Sequence, residues 1–498
     1  MTLIDSTLST LDGQADSKPE APAIATGPKL TSLVPILQKL DTSLIFESGK
    51  YYIPNNLPAE CWAKLRDYAA TVEELAISNA ESTIPNSTYI QWARRQGCSV
   101  LLARIKNLHV TYERDTSSSF DISLFLSPSL SELHVDHPSD EAQLQLSFAL
   151  IEPNLLNLTH LSILNLELVP RLLDAILSSC QLLDTLELGV VSGGLNYRQV
   201  RRLLASPFLQ LLQISLDGAT TYEQEPINEH HDAHGEVRQH HLSVRVAGHP
   251  DFNIDVLRAA QYNSCCLTSV SLDWKNWHVD NAKMNEILQQ CPQDIHGLRL
   301  HGPGLIDFSE SLLSQQITKF HNLKTLVFPL SSVLGPPNHW DTQLKLFLPL
   351  WSLLEELSLP SREGIRYTVS GNSVSVSSIK LIAQGCSNLI KLRACVHNPT
   401  SYEHSAEFST CILTHPLRKL NLHSPHDPYR GQKVVTQSQA FSIARYLYAL
   451  FPKLENVDAC ESAWKPIAET ILLLKNVCHE AYLSYEQETQ KLKAKTAP

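Results

Sequence analysis

The chain has 498 residues, with 40 Lys plus Arg against 51 Asp plus Glu, a formal net charge of −11. Hydrophobic residues make up 43%, enough for a large core, and the 18 glycines exclude a collagen-like or glycine-linker chain. An acidic chain of this kind lacks the global charge of a general nucleic-acid binder, so no nucleic-acid partner is expected.

Residues 1–29 are polar, carry Pro, Ala and Ser, and show no hydrophobic period, which predicts a disordered N-terminal segment. They have no basic n-region followed by an apolar core, so no secretory signal is read there. No run in the chain is long and apolar enough for a membrane span. An intracellular protein of cytoplasm or nucleus is expected, with no membrane partner. The 11 cysteines are an odd number and form no CxxC pair, which suits free thiols in a reducing compartment. Residues 30–71 hold helix-like apolar stretches, LVPILQKL and CWAKLRDYA, and are expected to form a helical N-terminal cap.

From Val72 a pattern recurs: aliphatic, two variable residues, aliphatic, one variable residue, apolar. It begins at Val72, Ile105, Leu130, Leu158, Leu183 and Leu209, then at Leu267, Ile295, Leu323, Leu354, Leu389, Leu417 and Leu454. Most steps are about 25–37 residues, close to the leucine-rich-repeat period. One step of about 58 residues is double, and predicts a hidden unit around Leu242–Val246. The paired leucines alternate with period two, as on one side of a short strand. The linkers Arg171–Leu177, Ala282–Leu288 and Ser378–Ala383 follow a helical period. Strand then helix, repeated, implies parallel strands stacked unit on unit. The expected fold is α/β: a leucine-rich-repeat solenoid over 72–480 with about 13–14 units. It would be a curved horseshoe, with strands on the concave face and helices on the convex one.

Three segments depart from the unit. Residues near 220–241 form a His-rich insertion bearing His230, His231, His234, His240 and His241. Histidines and carboxylates suit transition metals. The spacing, with only His230 and His234 four apart, is read as a surface loop, and no metal site or cofactor is assigned. Two further loops are expected around 361–375 and 424–437, and 481–498 is read as a charged, fraying C-terminal tail.

In each unit, positions three, five and seven point away from the leucine core, which assigns a partner-binding face. The earlier units place Glu74, His109, Glu132, His134, Asp136, His160, Glu187 and Asp273 there. Later units place Arg299, His301, Lys391, Arg393, Lys419 and His423 there, beside Glu356 and Asp458. The face reads as acidic toward the N-terminal half and mixed to basic toward the C-terminal half, a dipolar surface suited to orienting a protein partner. No phosphate-binding glycine loop, no H-E-x-x-H and no G-x-S-x-G occurs, and no acid/base constellation is evident, so no enzymatic activity is expected.

The run Leu65–Leu75 (LRDYAATVEEL), the entry Leu124–Leu130 (LFLSPSL) and the cysteine-type unit starts at Cys180, Cys291 and Cys386 carry a resemblance. Together they resemble the fungal F-box/leucine-rich-repeat-like proteins, over roughly residues 60–475. The resemblance implies a substrate-recognition subunit of a ubiquitin ligase, with a cullin-ligase adaptor among its partners if an F-box is present. Leu57-Pro58-Ala59-Glu60 and Trp92 echo that module, but the strand expected at Val72 falls between them and no F-box is recognisable. The alternative is a leucine-rich-repeat regulator or inhibitor of another protein, such as a GTPase regulator, with no link to a ligase.

Overall fold

The computed structural model describes residues 29–496 apart from connecting segments, the longest being 139–154, 217–240, 360–373, 397–414 and 424–434. The N-terminal 28 residues and the histidines from His230 to His240 lie outside the described residues, as does most of the two expected loops.

The chain is α/β. Among the described residues its main sheet has fifteen strands. They are β1 (Lys29–Leu30), β4 (Glu74–Ser78), β5 (Asn107–Thr111), β6 (Glu132–Asp136), β7 (His160–Glu167), β8 (Thr185–Ser192), β9 (Leu211–Leu216), β10 (His241–Ala247), β11 (Cys266–Asp273), β12 (Gly297–His301), β13 (Thr325–Val327), β14 (Glu356–Ser358), β15 (Lys391–Cys395), β16 (Lys419–His423) and β17 (Asn456–Ala459). Each strand lies beside the next in chain order, and every pairing is parallel. That is an α/β arrangement compatible with a solenoid. A separate antiparallel hairpin pairs β2 (Ile45–Glu47) with β3 (Lys50–Tyr52).

Helices occupy many of the connections. They are α1 (Val34–Gln38), α2 (Ala59–Ala69), α3 (Asn86–Gln96), α4 (Pro170–Ser179), α5 (Tyr197–Leu204), α6 (Pro250–Tyr262), α7 (Asn281–Gln290), α8 (Ser311–Thr318), α9 (His339–Phe347), α10 (Val376–Gly385), α11 (Gln437–Leu450) and α12 (Lys465–Thr496). The three linkers read as helical from their period fall within α4, α7 and α10.

The register explains the repeat. Leu75, Leu108, Leu133, Leu161, Leu186 and Leu212 sit side by side across β4–β9, and Leu298, Leu326, Leu357, Leu392 and Leu420 continue the row. All are buried in one continuous core with helix residues such as Leu172, Leu203, Ile287 and Ile379. A single unit of this kind exposes its leucine face, so stacking neighbours is what makes the core. Main-chain bonds lock the stack. At the entry of most strands two consecutive N–H groups donate to one carbonyl of the preceding unit, as Ser131 and Glu132 do to Lys106, and Arg418 and Lys419 do to Ile390.

The side chains of the repeat start reinforce this. Asn157 Nδ2 donates to Pro128 O at 2.8 Å, and Asn388 Nδ2 donates to Ser352 O at 3.1 Å, each bonding the unit before it. Ser127 and Ser129 hydroxyls both donate to Ala103 O. The serine-proline-serine segment is therefore a clamp between units. Cys180, Cys291 and Cys386 are buried, and burial pushes each thiol up to about 12, so they pack as small hydrophobes. Every described cysteine is a free thiol.

The hidden unit is β10, with Val244 aligned between Leu212 and Val270. It is one residue shorter than the others. Leu242 pairs with Leu267 and Ser243 with Ser269, so Thr268 bulges from β11 to absorb the difference. Leu242 takes position one here with a single residue before Val244, so a search for two intervening residues passes over the unit.

Two expectations on chain organisation need correction. The 30–71 segment is not wholly helical: it carries the β2–β3 hairpin, and β1 just ahead of it extends the main sheet by pairing Leu30 with Leu75. The two-residue edge strand satisfies backbone groups that β4 would otherwise present to water. The 481–498 tail does not stand apart as frayed chain, because α12 runs unbroken through Thr496. Its Glu, Gln, Lys and Ala content favours helix, and Tyr482 donates to Glu486 across one turn at 2.8 Å.

Candidate interaction face

Alternation along each strand turns the remaining positions to the other side of the sheet. The register aligns them in three rows. The first holds Glu74, Glu132, His160, Glu356, Lys391 and Lys419. The second holds His109, His134, Glu187, Arg299 and Arg393. The third holds Asp136, Asp273, His301 and His423. All fourteen residues picked from the sequence therefore share one face of one sheet. They range from half-buried to exposed, with one exception. His423 was expected to be open to a partner, yet only 3% of it is accessible. It lies at the end of β16, where its carbonyl accepts from Val396 N–H and its Nε2 lies 3.3 Å from Arg393 Nε.

Charge is distributed unevenly along the face. From β4 through β9 the outward positions carry Glu74, Glu132, Asp136 and Glu187 and no lysine or arginine. The first cation is Arg245 on β10, at the position aligned with Gln213 and Ser271. It belongs to the hidden unit expected around Leu242–Val246 but is not among the face residues assigned from the sequence, because that unit departs from the spacing that assigned the others.

Within the acidic stretch three imidazoles form a ladder across adjacent strands. The His109 and His134 rings are 5.8 Å apart between centroids, and His134 and His160 are 4.8 Å apart. Burial pushes the His134 pKa down, and the His160 and His109 imidazoles push it further, against the opposing pull of Glu132 and Glu187. His134 is therefore held neutral to lower pH than a free histidine. His160 Nε2 is buried with no hydrogen-bond partner among the described residues. On the same strand Ser162 donates to Glu187 of β8 at 3.0 Å.

Toward the other end the cations are partly spent on the protein itself. Glu356 accepts from Arg299 Nη2 at 2.6 Å and from Lys391 Nζ at 2.7 Å. Burial raises its pKa, but the Lys391 and Arg299 contacts outweigh that and hold the carboxyl below its usual range. The strand positions read as mixed to basic, and Glu356 joins Arg299 and Lys391 in a paired network. Arg393 donates to His423 at 3.3 Å, and Asn421 Nδ2 lies 3.4 Å from Asp458.

Among the described residues no group of three or more His, Cys, Asp or Glu side chains is arranged to hold a metal ion. No described helix is long and apolar enough to cross a membrane. The strand β4 lies between Leu57 and Trp92 and is paired on both sides into the main sheet. Trp92 is fully buried on α3.

No protein-family model matches the chain, and no curated protein is significantly similar to it.

Proposed function

We propose that this chain is an intracellular leucine-rich-repeat solenoid that binds a protein partner on its polar sheet face, without catalysis of its own. The observation that carries the reading is the charge segregation of that face. It has four carboxylates and no cation at the outward positions of β4–β9, then Arg245 and the Arg299–Glu356–Lys391 network. A one-signed stretch on a rigid sheet steers a partner of opposite charge and suppresses others. The acidic half would receive a basic surface, and the mixed half would set its register. Extended faces built from stacked units are a common basis for such recognition. The likeness of the repeat starts to fungal F-box/leucine-rich-repeat-like proteins favours a role in substrate recognition for a ubiquitin ligase.

The test is affinity purification of the full chain from its native cells, in parallel with an Glu132→Lys/Glu187→Lys variant, followed by mass spectrometry. A partner retained by the wild type and lost by the charge-reversed variant supports the reading. Cullin-ligase adaptor peptides in both samples would support the ligase role; their absence with the partner retained leaves a stand-alone scaffold. Equal recovery of every partner by both chains would sink the assignment to this face.

A further inference from the structure

The turns that follow β10 and β11 frame an open cavity of about 350 Å³ at the starts of α6 and α7. It lies just past Ala247 and Asp273, the paired residues that end these two strands. Ligand pockets run from about 300 to 1,000 Å³, so this one suits a single side chain better than a cofactor. Trp277 stands in its wall, 41% accessible, whereas Trp92, Trp274, Trp351 and Trp464 are fully buried in the core. The His249 ring packs against the indole, with centroids 4.4 Å apart and planes at 74°. The Trp277 N–H donates to Trp274 O. The indole is therefore held at the opening before any partner arrives.

The polar groups around it select the charge of the occupant. The donors that an anion would need are mostly used. His249 Nδ1 caps α6 by accepting from Asp251 N–H at 3.2 Å, and Asp280 caps α7 by accepting from Lys283 N–H at 2.8 Å. Lys283 Nζ donates to Asp251 Oδ1 at 2.7 Å and to Glu286 Oε2 at 2.9 Å. Burial pulls the Lys283 pKa down, but those two carboxylates outweigh it and hold the ammonium above its usual range, so its surroundings are net negative. Glu286 is fully engaged, since its Oε1 accepts from Arg258. Two carboxylate oxygens are left. His249 Nδ1 lies 3.4 Å from Asp251 Oδ2 but is already an acceptor and has no proton to give it. Among the described residues no donor is bonded to Asp280 Oδ2. His278 is the remaining ionisable group of the wall.

We propose that this pocket binds an arginine side chain of the protein partner, stacked on Trp277 and hydrogen-bonded to the open oxygens of Asp251 and Asp280. A guanidinium is planar, stacks on an aromatic face and presents its donors as a fork, which a lysine ammonium does not match. The inference rests on the reading of the sheet face as a protein-binding surface. It adds a fixed anchor at the strand where the acidic stretch ends.

The test is fluorine NMR of the full chain labelled with fluorotryptophan, its Trp277 signal assigned by Trp277→Phe, during titration with N-acetyl-arginine amide. A saturable shift of that signal is expected, with a dissociation constant on the order of 1 mM. N-acetyl-lysine amide should bind about three-fold more weakly. Asp280→Asn keeps a good helix cap without the charge, and should weaken the arginine amide about five-fold. The absence of a saturable shift up to about 20 mM would overturn the proposal. So would wild-type affinity in Asp280→Asn, lysine amide binding as tightly as arginine amide, or inorganic phosphate moving the signal as far. In the affinity purification, Trp277→Ala should lose the same partner as the Glu132→Lys/Glu187→Lys variant. A partner lost by the face variant and kept by Trp277→Ala would remove the pocket from recognition. If arginine amide binds and no partner depends on the face, the arginine site stands and the reading of the face fails.

Discussion

Arg299 on β12 reaches over β13 to Glu356 on β14, with Nη2 2.6 Å from Oε2 across 57 residues of sequence. The residues beneath it, Thr325 and Val327, are short enough to let the arginine pass. Lys391 closes on the same carboxylate from β15. Three strands, β12, β14 and β15, are thereby tied across the face that also serves as the candidate interaction surface.

Glu356→Gln keeps the shape and removes the charge, leaving Arg299 and Lys391 as neighbouring cations. Partly exposed ion pairs of this kind contribute modestly, so a loss of about 1 kcal/mol is expected in urea unfolding at pH 7. The sign of the pH effect follows from the lowered carboxyl pKa. The contribution is complete above the ordinary glutamate value of 4.5 and is lost as pH falls through the depressed folded value. Wild type and variant should therefore converge in stability below that value, and a constant gap down to the acid limit would refute the assignment.

The histidine ladder gives a second pH dependence in a different window. The pKa of His134 is lowered by burial first, then by His160 and His109. Burial also lowers His301 and His415. Each is bound to a proton more readily in the unfolded chain, so stability is full above 6.5 and declines as pH falls from there through the folded values. The melting temperature should drop between pH 7 and 5.5, and His134→Gln should flatten part of that drop. A variant whose profile overlays the wild type would show that His134 does not titrate in this range.

Gly302 has φ of +117°, and a Cβ there would stand 2.4 Å from the Trp274 ring. Trp274 is fully buried and its indole N–H donates to Pro303 O at 2.6 Å. Gly302→Ala must displace the ring or the turn, and a loss of about 3 kcal/mol is expected. In a Trp274→Ala background the clash is gone and only the backbone strain of about 1 kcal/mol should remain. Chemical denaturation of the four chains in this cycle measures the difference; equal costs in both backgrounds would mean that the ring is not what the glycine accommodates.

Asp341, in the first turn of α9, accepts from Ser375 N–H at 2.9 Å and from the Ser378 hydroxyl. Ser375 is the N-cap of α10 and itself accepts from Ser378 N–H. The carboxylate thus holds the start of the next helix, 34 residues on. Asp341→Ala should cost about 1–2 kcal/mol, the range for removing a cap-type acceptor. Hydrogen exchange should accelerate at Ser375–Ile379 before it does in α9, and protection unchanged in α10 would contradict the linkage.

Period-two and period-3.6 patterns are local, and they place the strands, the helices α4, α7 and α10 and the outward face without any tertiary information. Each leucine of the motif needs only its own neighbours in the chain to point the same way. Even the missing unit at Leu242–Val246 is visible as a gap in the period. The Thr268 bulge, the burial of His423, the Glu356 network and the continuation of α12 through Thr496 are not visible in that way. Those features depend on which side chains the stacked strands bring within about 3 Å of one another, and on whether a helix finds a surface to lie against. A hydrophobic period sets the direction of a side chain; the partner it meets is set by register between segments far apart in the chain.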